Sequence, residues 1–166
     1  MSSIARLIGS GLAAAVLLLG GLAQADNPPV AIDDAGRAIG GYDAVAYFTD
    51  DAALPGNAAF SHDWNGAVWL FTSAAHRDAF KADPARYAPQ FGGYCAYAIS
   101  KGHAVDARPE IWSIVDGKLY LNLGPGAQSK WEAELAANIV RAQSNWPAAL
   151  VDPGRRKALP EATGDR

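Results

Sequence analysis

Two Asx-Gly pairs, each lying between apolar-rich runs, constrain the fold of this chain more than any other feature. The pairs are Asn65-Gly66 and Asp116-Gly117. The runs that they separate are residues 59–64, 67–71, 111–115 and 118–122. A two-residue Asx-Gly loop between such runs is the strongest short-range signal for an antiparallel hairpin, because the turn needs residues that accept positive φ. The sequence therefore predicts two β-hairpins.

A helix is predicted after each hairpin. Ser73 is a good N-cap for a helix over 74–82, which Asp83-Pro84 ends. A C-terminal helix over about 128–145 has apolar residues at helical spacing on one face. Residues 44–48 are interpreted as a short buried strand, and no internal repeat is evident. The prediction is an α+β fold, a small twisted antiparallel sheet built from hairpins with a central and a C-terminal helix packed on it.

The N-terminus has the pattern of a secretory signal peptide. Arg6 precedes the apolar run 12–19, and the small residues of Ala23-Gln24-Ala25 form a peptidase site. The apolar run is about half of the ~20 residues that a membrane span needs. Cleavage near Ala25 predicts a periplasmic or secreted protein without membrane insertion. The predicted segments are a signal peptide (1–25), a flexible leader (26–39), one domain (40–147) and a disordered tail (148–166).

Charge argues against nucleic acid as a partner. The formal net charge of the chain is −3, and removal of the signal peptide with Arg6 makes it −4. A mildly acidic protein without basic clusters lacks the electrostatic footprint that phosphate backbones require. A metal ion or a small molecule is the partner that the residues discussed below suggest.

Cys95 is the one cysteine, and no intramolecular disulfide can form. A lone thiol outside the cytoplasm must be buried, ligated, paired with another chain or used chemically. As a ligand, it could join His62, His76 or His103, a donor set that suits copper or zinc. As a nucleophile, it would need a base, and no recognisable Cys-His spacing supplies one.

The tyrosines beside Cys95 allow a further interpretation. Tyr94 and Tyr97 could line a small-ligand pocket with their hydroxyl groups pointing inward. The alternative is that these rings pack in the hydrophobic core.

Several motifs resemble the YHS domain family in its exported, stand-alone form. They are Gly41-Tyr-Asp-Ala-Val-Ala-Tyr-Phe48, Phe60-x-His62-x-Trp64-Asn-Gly66, Phe71-x-Ser73-x-x-His76-Arg-Asp-x-Phe80, the run from Asp83-Pro84 to Ala96, and Trp112-x-x-Val-Asp-Gly-Lys-Leu-Tyr-Leu-Asn122. Short YHS domains, and the similar TRASH-type domains, bind soft or borderline metal ions through cysteines. The resemblance places those cysteines at Ala46, Thr72 and His76 of this chain. Only His76 could still be a ligand, and exported members largely lack an assigned activity.

Together these features predict a non-enzymatic periplasmic protein that binds copper, zinc or a small ligand through Cys95. One alternative is an enzyme that uses Cys95 in redox or acyl chemistry. Another is a structural or interaction module in which Cys95 is buried and inert.

Overall fold

A computed structural model of the protein describes residues 27–151. Its helices are α1 (Ala46–Thr49), α2 (Ala74–Ala82), α3 (Pro84–Tyr87), α4 (Ala96–Ser100), α5 (Pro125–Ala133) and α6 (Leu135–Asn145). Its strands are β1 (Asn57–Trp64), β2 (Ala67–Phe71), β3 (Arg108–Val115) and β4 (Lys118–Asn122). Short 3-10 segments lie at Ile39–Gly41, Gln90–Gly93 and Ala148–Val151. The α+β class is confirmed. The predicted signal peptide (1–25) and most of the predicted tail (152–166) lie outside the described residues.

Both predicted hairpins form, but they make two separate two-stranded sheets instead of one. The turn residues Asn65 and Asp116 both have φ of 51°, as Asx-Gly turns require. Other segments of the chain bridge to the second strand of each hairpin. Arg37 bridges to Val68 of β2, and Cys95 bridges to Leu121 of β4.

The helix after the first hairpin forms as predicted, whereas the C-terminal helix is broken in two. Ser73 accepts a hydrogen bond from the backbone N–H of His76 and caps α2. The C-terminal break falls at Glu134, between α5 and α6. The buried Asn138 side chain explains it, because its Nδ2 donates to the carbonyl groups of Lys130 and Trp131 in the last turn of α5.

The segment predicted as a flexible leader is largely packed into the protein, so this prediction is wrong for residues 27–39. Val30 and Ile39 are buried in one hydrophobic cluster, and Ala31 is buried in the other. The backbone N–H of Asn27 donates to Leu150 O at 3.0 Å, which joins this segment to the C-terminal 3-10 turn. Apolar residues spaced among polar ones gave the segment enough contact area to order it.

The interpretation of residues 44–48 as a strand is also wrong. Helix α1 begins within this stretch, because Asp43 Oδ1 accepts the backbone N–H groups of Val45 and Ala46. The aromatic and β-branched composition favoured a strand. A side-chain acceptor at the helix start outweighed that preference.

The described chain contains two units with the same order of elements, although none was predicted. We call residues 39–87 the first unit and residues 91–145 the second unit. One constant shift in residue number takes β1 onto β3, β2 onto β4 and α2 onto α5. The hairpin registers also agree, since Asn57 pairs with Phe71 as Arg108 pairs with Asn122, each followed by a register shift.

Each unit opens with a Gly-Gly-Tyr turn of the same conformation. Ile39, Gly40 and Gly41 have φ of 44°, 63° and 82°, and the corresponding residues at 91–93 have φ of 55°, 63° and 83°. In the first unit Asp43 N–H donates to Leu54 O, and in the second Cys95 N–H donates to Val105 O, both at 2.8 Å. The two units are therefore equivalent in backbone hydrogen bonding as well as in element order.

A similar aromatic pair fills the space between hairpin and helix in each unit. The ring centroids of Trp69 and Phe80 are 4.8 Å apart, and those of Tyr120 and Trp131 are 5.1 Å apart. All four side chains are at most 1% exposed. The two pairs belong to different hydrophobic clusters, and they occupy matching positions in β2 and β4 and in α2 and α5.

Candidate functional site

The first unit contains a buried carboxylate, Asp43, at the meeting point of α1, β2 and α2. The Asp43 side chain is fully buried. Its Oδ1 accepts the N–H groups of Val45 and Ala46, and its Oδ2 accepts both the N–H and the hydroxyl group of Thr72 at 2.8 Å. These donors satisfy the carboxylate without a lysine or arginine partner.

His76, in the first turn of α2, contacts the same carboxylate. His76 Nδ1 lies 2.7 Å from Asp43 Oδ2, and this distance requires a proton on Nδ1. In the neutral ring, Nε2 is then the acceptor. The side chain is 20% exposed, so the ring spans from the buried carboxylate to the surface.

The surface nitrogen of His76 faces two oxygen-bearing side chains at the end of α1. Nε2 lies 3.4 Å from Thr49 Oγ1 and 3.7 Å from Asp50 Oδ2. Thr49 Oγ1 is 2.8 Å from the Asp50 carboxylate. One nitrogen lone pair and one carboxylate therefore lie side by side near solvent, with a second carboxylate buried behind the ring.

The positions that the YHS resemblance assigns to metal-binding cysteines converge on Asp43. The N–H of Ala46, the N–H and hydroxyl of Thr72, and Nδ1 of His76 all lie within hydrogen-bond distance of its carboxylate. In this chain an internal anion therefore occupies the point that these three positions surround.

Cys95 occupies the position in the second unit that Asp43 occupies in the first. It is 1% exposed. Its Sγ accepts the N–H of Leu123 at 3.3 Å and lies 3.5 Å from Asn122 Oδ1, to which the thiol donates. Burial raises the pKa of the Cys95 thiol, although the N–H groups of Ala98, Leu123 and Tyr97 act in the opposite direction. The Cys95 thiol is therefore buried and takes part in hydrogen bonds both as donor and as acceptor.

The other predicted donors do not gather around Cys95. His62 lies in β1 with its ring 6.4 Å from that of Phe80, and His103 is exposed after α4. Within residues 27–151, no three His, Cys, Asp or Glu side chains form a group that could hold a metal ion. The predicted set of Cys95, His62, His76 and His103 therefore does not form a joint site.

The tyrosines next to Cys95 do not form a pocket around it, since Tyr94 lies in the core and the half-buried Tyr97 packs against the core. Tyr94 is fully buried and donates its hydroxyl hydrogen to Pro28 O at 2.9 Å. Tyr97 lies under the ammonium group of Lys101, 5.1 Å from the ring centroid. Neither tyrosine lines the cavity that Trp64, Trp69 and Trp146 border.

Asp43 is the site residue that sequence reasoning missed. It follows a Gly-Gly-Tyr turn and precedes a segment that could be helical, which is the position of an N-terminal capping residue. Reading residues 44–48 as a strand removed that signal.

No helix within residues 27–151 is long and apolar enough to span a membrane.

Comparisons of the chain with protein-family models, with curated proteins and with solved structures find no match. The likeness to exported YHS domains therefore rests on the sequence motifs, and it stays a prediction.

Proposed function

We propose that this chain is an exported, YHS-type protein that binds a copper or zinc ion without catalysing a reaction. In this proposal His76, and not Cys95, supplies the principal ligand. The observation that supports it most directly is the 2.7 Å contact between His76 Nδ1 and the buried Asp43 carboxylate.

The Asp43–His76 pair matches the outer shell of many metal sites. A histidine that ligates a metal ion usually donates its other ring N–H to a carboxylate, which fixes the ring and makes the ligating nitrogen more basic. Asp43 is itself fixed by the N–H groups of Val45, Ala46 and Thr72. The orientation of His76 is therefore set before any ion arrives.

The surroundings of Nε2 favour a cation over an anion. Asp50 places a second carboxylate 3.7 Å from Nε2, and its side chain is 44% exposed. Nitrogen and oxygen ligands lie about 2.0–2.2 Å from zinc. Two ligand atoms 3.7 Å apart, as Nε2 and Asp50 Oδ2 are, can therefore bind the same ion. Two protein ligands leave coordination positions for water or for a second molecule, which suits a site that exchanges its ion.

Cys95 does not suit the same role. Metal ligation requires the thiolate, and burial raises the pKa of the Cys95 thiol. Its hydrogen bonds with Asn122 and Leu123 would also have to be given up. We therefore assign Cys95 a structural role within the proposed metal-binding protein.

The test is calorimetric titration of the mature chain with Zn²⁺ and with Cu²⁺. His76→Gln should weaken binding at least about tenfold, the range typical of disturbed metal sites, and Asp50→Asn should weaken it less. His62→Gln and Cys95→Ser are the matched controls and should bind as the unaltered chain does. N-terminal sequencing of protein recovered from the periplasm should begin at Asp26.

Two results would contradict the proposal. Loss of binding in Cys95→Ser with retention in His76→Gln would place the ion at the thiol. Absence of binding by the unaltered chain at millimolar metal would leave the structural or interaction module.

A further inference from the structure

A cavity of about 250 Å³ lies beside the first hairpin. The N-terminal segment (residues 27–38), the C-terminal segment (residues 146–151) and the linker between the units (residues 88–90) also border it. Its lining includes Pro29, Trp64, Trp69, Pro89, Trp146 and Leu150. Asp43, Asp50 and His76 do not line this cavity. The cavity is therefore a second candidate site, independent of the proposed metal function.

The cavity is bounded by rigid parts of the molecule. The rings of Trp64 and Trp69 are 5.7 Å apart, and the Trp69 indole N–H donates to Trp64 O at 3.0 Å. Trp146 also lines the cavity, and its ring is 6.0 Å from that of Phe91 and 6.2 Å from that of Tyr94. Because these rings are packed against the cores of both units, the walls are formed before a ligand arrives.

The terminal walls are joined by hydrogen bonds. Asn27 donates to Leu150 O through both its backbone N–H and its side-chain Nδ2, each at 3.0 Å. Ala31 N–H donates to Gly92 O at 2.8 Å, which fixes the N-terminal segment against the linker. The segment that contributes Pro29 and Val30 to the lining is therefore anchored at both ends.

The lining selects an uncharged ligand. It contains no Asp, Glu, Lys, Arg or His side chain, and Asn65 is its one side chain with an amide group. A charged molecule would lose its hydration here without gaining an ionic partner, which is costly. The three indole rings in the lining favour a flat, polarisable molecule that can stack or pack edge to face.

The volume limits the ligand to a small molecule. An apolar cavity of about 150 Å³ accommodates benzene, whereas pockets for drug-sized ligands begin at roughly 300 Å³. A cavity of about 250 Å³ therefore suits one ring or two fused rings.

We propose that this cavity is a binding site for an uncharged planar ring compound that contacts Trp64 and Trp146. The ligand enters from the side that Asn65 borders, since Asn65 is the exposed polar residue of the lining.

The test uses indole as the probe and the indole N–H signals of uniformly ¹⁵N-labelled protein as the readout. The chain has five tryptophans, which gives an internal comparison. Addition of indole should move the signals of Trp64 and Trp146 along one saturable curve and leave that of Trp112, which packs on Tyr47, in place. Indole-3-acetate, which has the same rings and a negative charge, should bind at least about tenfold more weakly.

Two variants localise the effect. Ala88→Leu adds volume at a buried residue of the lining and should reduce indole affinity at least tenfold, while Trp112→Phe should leave it unchanged. The proposal is overturned if no signal moves up to the solubility limit of indole, or if Trp112 responds like Trp64. It is also overturned if a folded Ala88→Leu variant binds indole as tightly as the unaltered chain. The signal comparison within the unaltered chain decides the matter even if that variant does not fold.

Discussion

The first and second units have the same backbone plan, but a different group lies at the centre of each. In the first unit Asp43 Oδ2 accepts the N–H of Thr72 at 2.8 Å. In the second unit Cys95 Sγ accepts the N–H of Leu123 at 3.3 Å, at the matching position after β4. The comparison teaches that each unit has a hydrogen-bond acceptor for the first backbone N–H after its hairpin. The acceptor is a carboxylate in one unit and a sulfur atom in the other.

The units differ more in what surrounds the acceptor. His76 in the first unit has Ala127 as its counterpart in the second, so the second unit has no imidazole at the corresponding place. Asn122, the counterpart of Phe71, lies beside the thiol and links it to Gln128, since its Nδ2 donates to Gln128 Oε1 at 2.7 Å. Only the first unit therefore presents a basic nitrogen at the surface from its central network.

Removal of the central acceptor should affect the first unit most. Asp43→Ala leaves three buried backbone N–H groups and the His76 ring without their acceptor, and we expect the free energy of unfolding to fall by about 4 kcal/mol. Cys95→Ala should lower it by only about 1–2 kcal/mol, because sulfur is a weak acceptor. Urea denaturation of both variants measures the difference. Equal losses would mean that the two acceptors are interchangeable in energy as well as in position.

Matching glycines separate backbone strain from packing. Gly40 and Gly92 both have φ of 63°. A Cβ on Gly40 would meet only Pro109 Cγ at 3.7 Å, whereas a Cβ on Gly92 would lie 2.1 Å from Pro29 O. Gly40→Ala should therefore cost about 1 kcal/mol for the left-handed conformation, and Gly92→Ala about 3 kcal/mol or more, since the N-terminal segment must move. Thermal unfolding of the two variants measures the difference. Similar losses in the free energy of unfolding would show that the N-terminal segment can move at little energetic cost.

The smallest predicted difference concerns alkaline pH. Burial raises the pKa of the Cys95 thiol, so the folded chain keeps its proton at a pH where the unfolded chain loses it. This contribution to stability is complete below about pH 8.5, where an unfolded thiol titrates, and is lost as pH rises through the folded pKa. We therefore expect the free energy of unfolding to fall as pH rises above about 8.5. Cys95→Ala should lack this slope, and an equal slope in that variant would assign it to other groups.

Local sequence signals predicted the hairpins and the helix after the first one. Asx-Gly pairs and Ser73 act through hydrogen bonds within a few residues, which a sequence displays directly. The repeat was harder to see because its units share few residues outside Gly-Gly-Tyr and scattered alanines. What the units share is a pattern of backbone hydrogen bonds and buried aromatic volume. Different residue types supply that volume, Trp69 with Phe80 in the first unit and Tyr120 with Trp131 in the second.

The candidate site was only partly predictable for a related reason. His76 could be named from its residue type, but its partner Asp43 lies on another element, far away in the sequence. The choice between a ligated and a buried Cys95 likewise depended on tertiary contacts, with Asn122 and Leu123 of the second hairpin. Local patterns contain no information on such long-range pairs.

The hydrogen bonds between Asn27 and Leu150 have a consequence for the order of folding events. They join residues 123 positions apart, so they close nearly the whole described chain into one loop. Each hairpin closes through its short turn, and the entropic cost of closure grows with loop length. The contact between the terminal segments should therefore form late, after both units have collapsed around their own rings. A molecule that stabilises this contact would therefore slow unfolding of the completed protein and would leave the rate of the early folding steps unchanged.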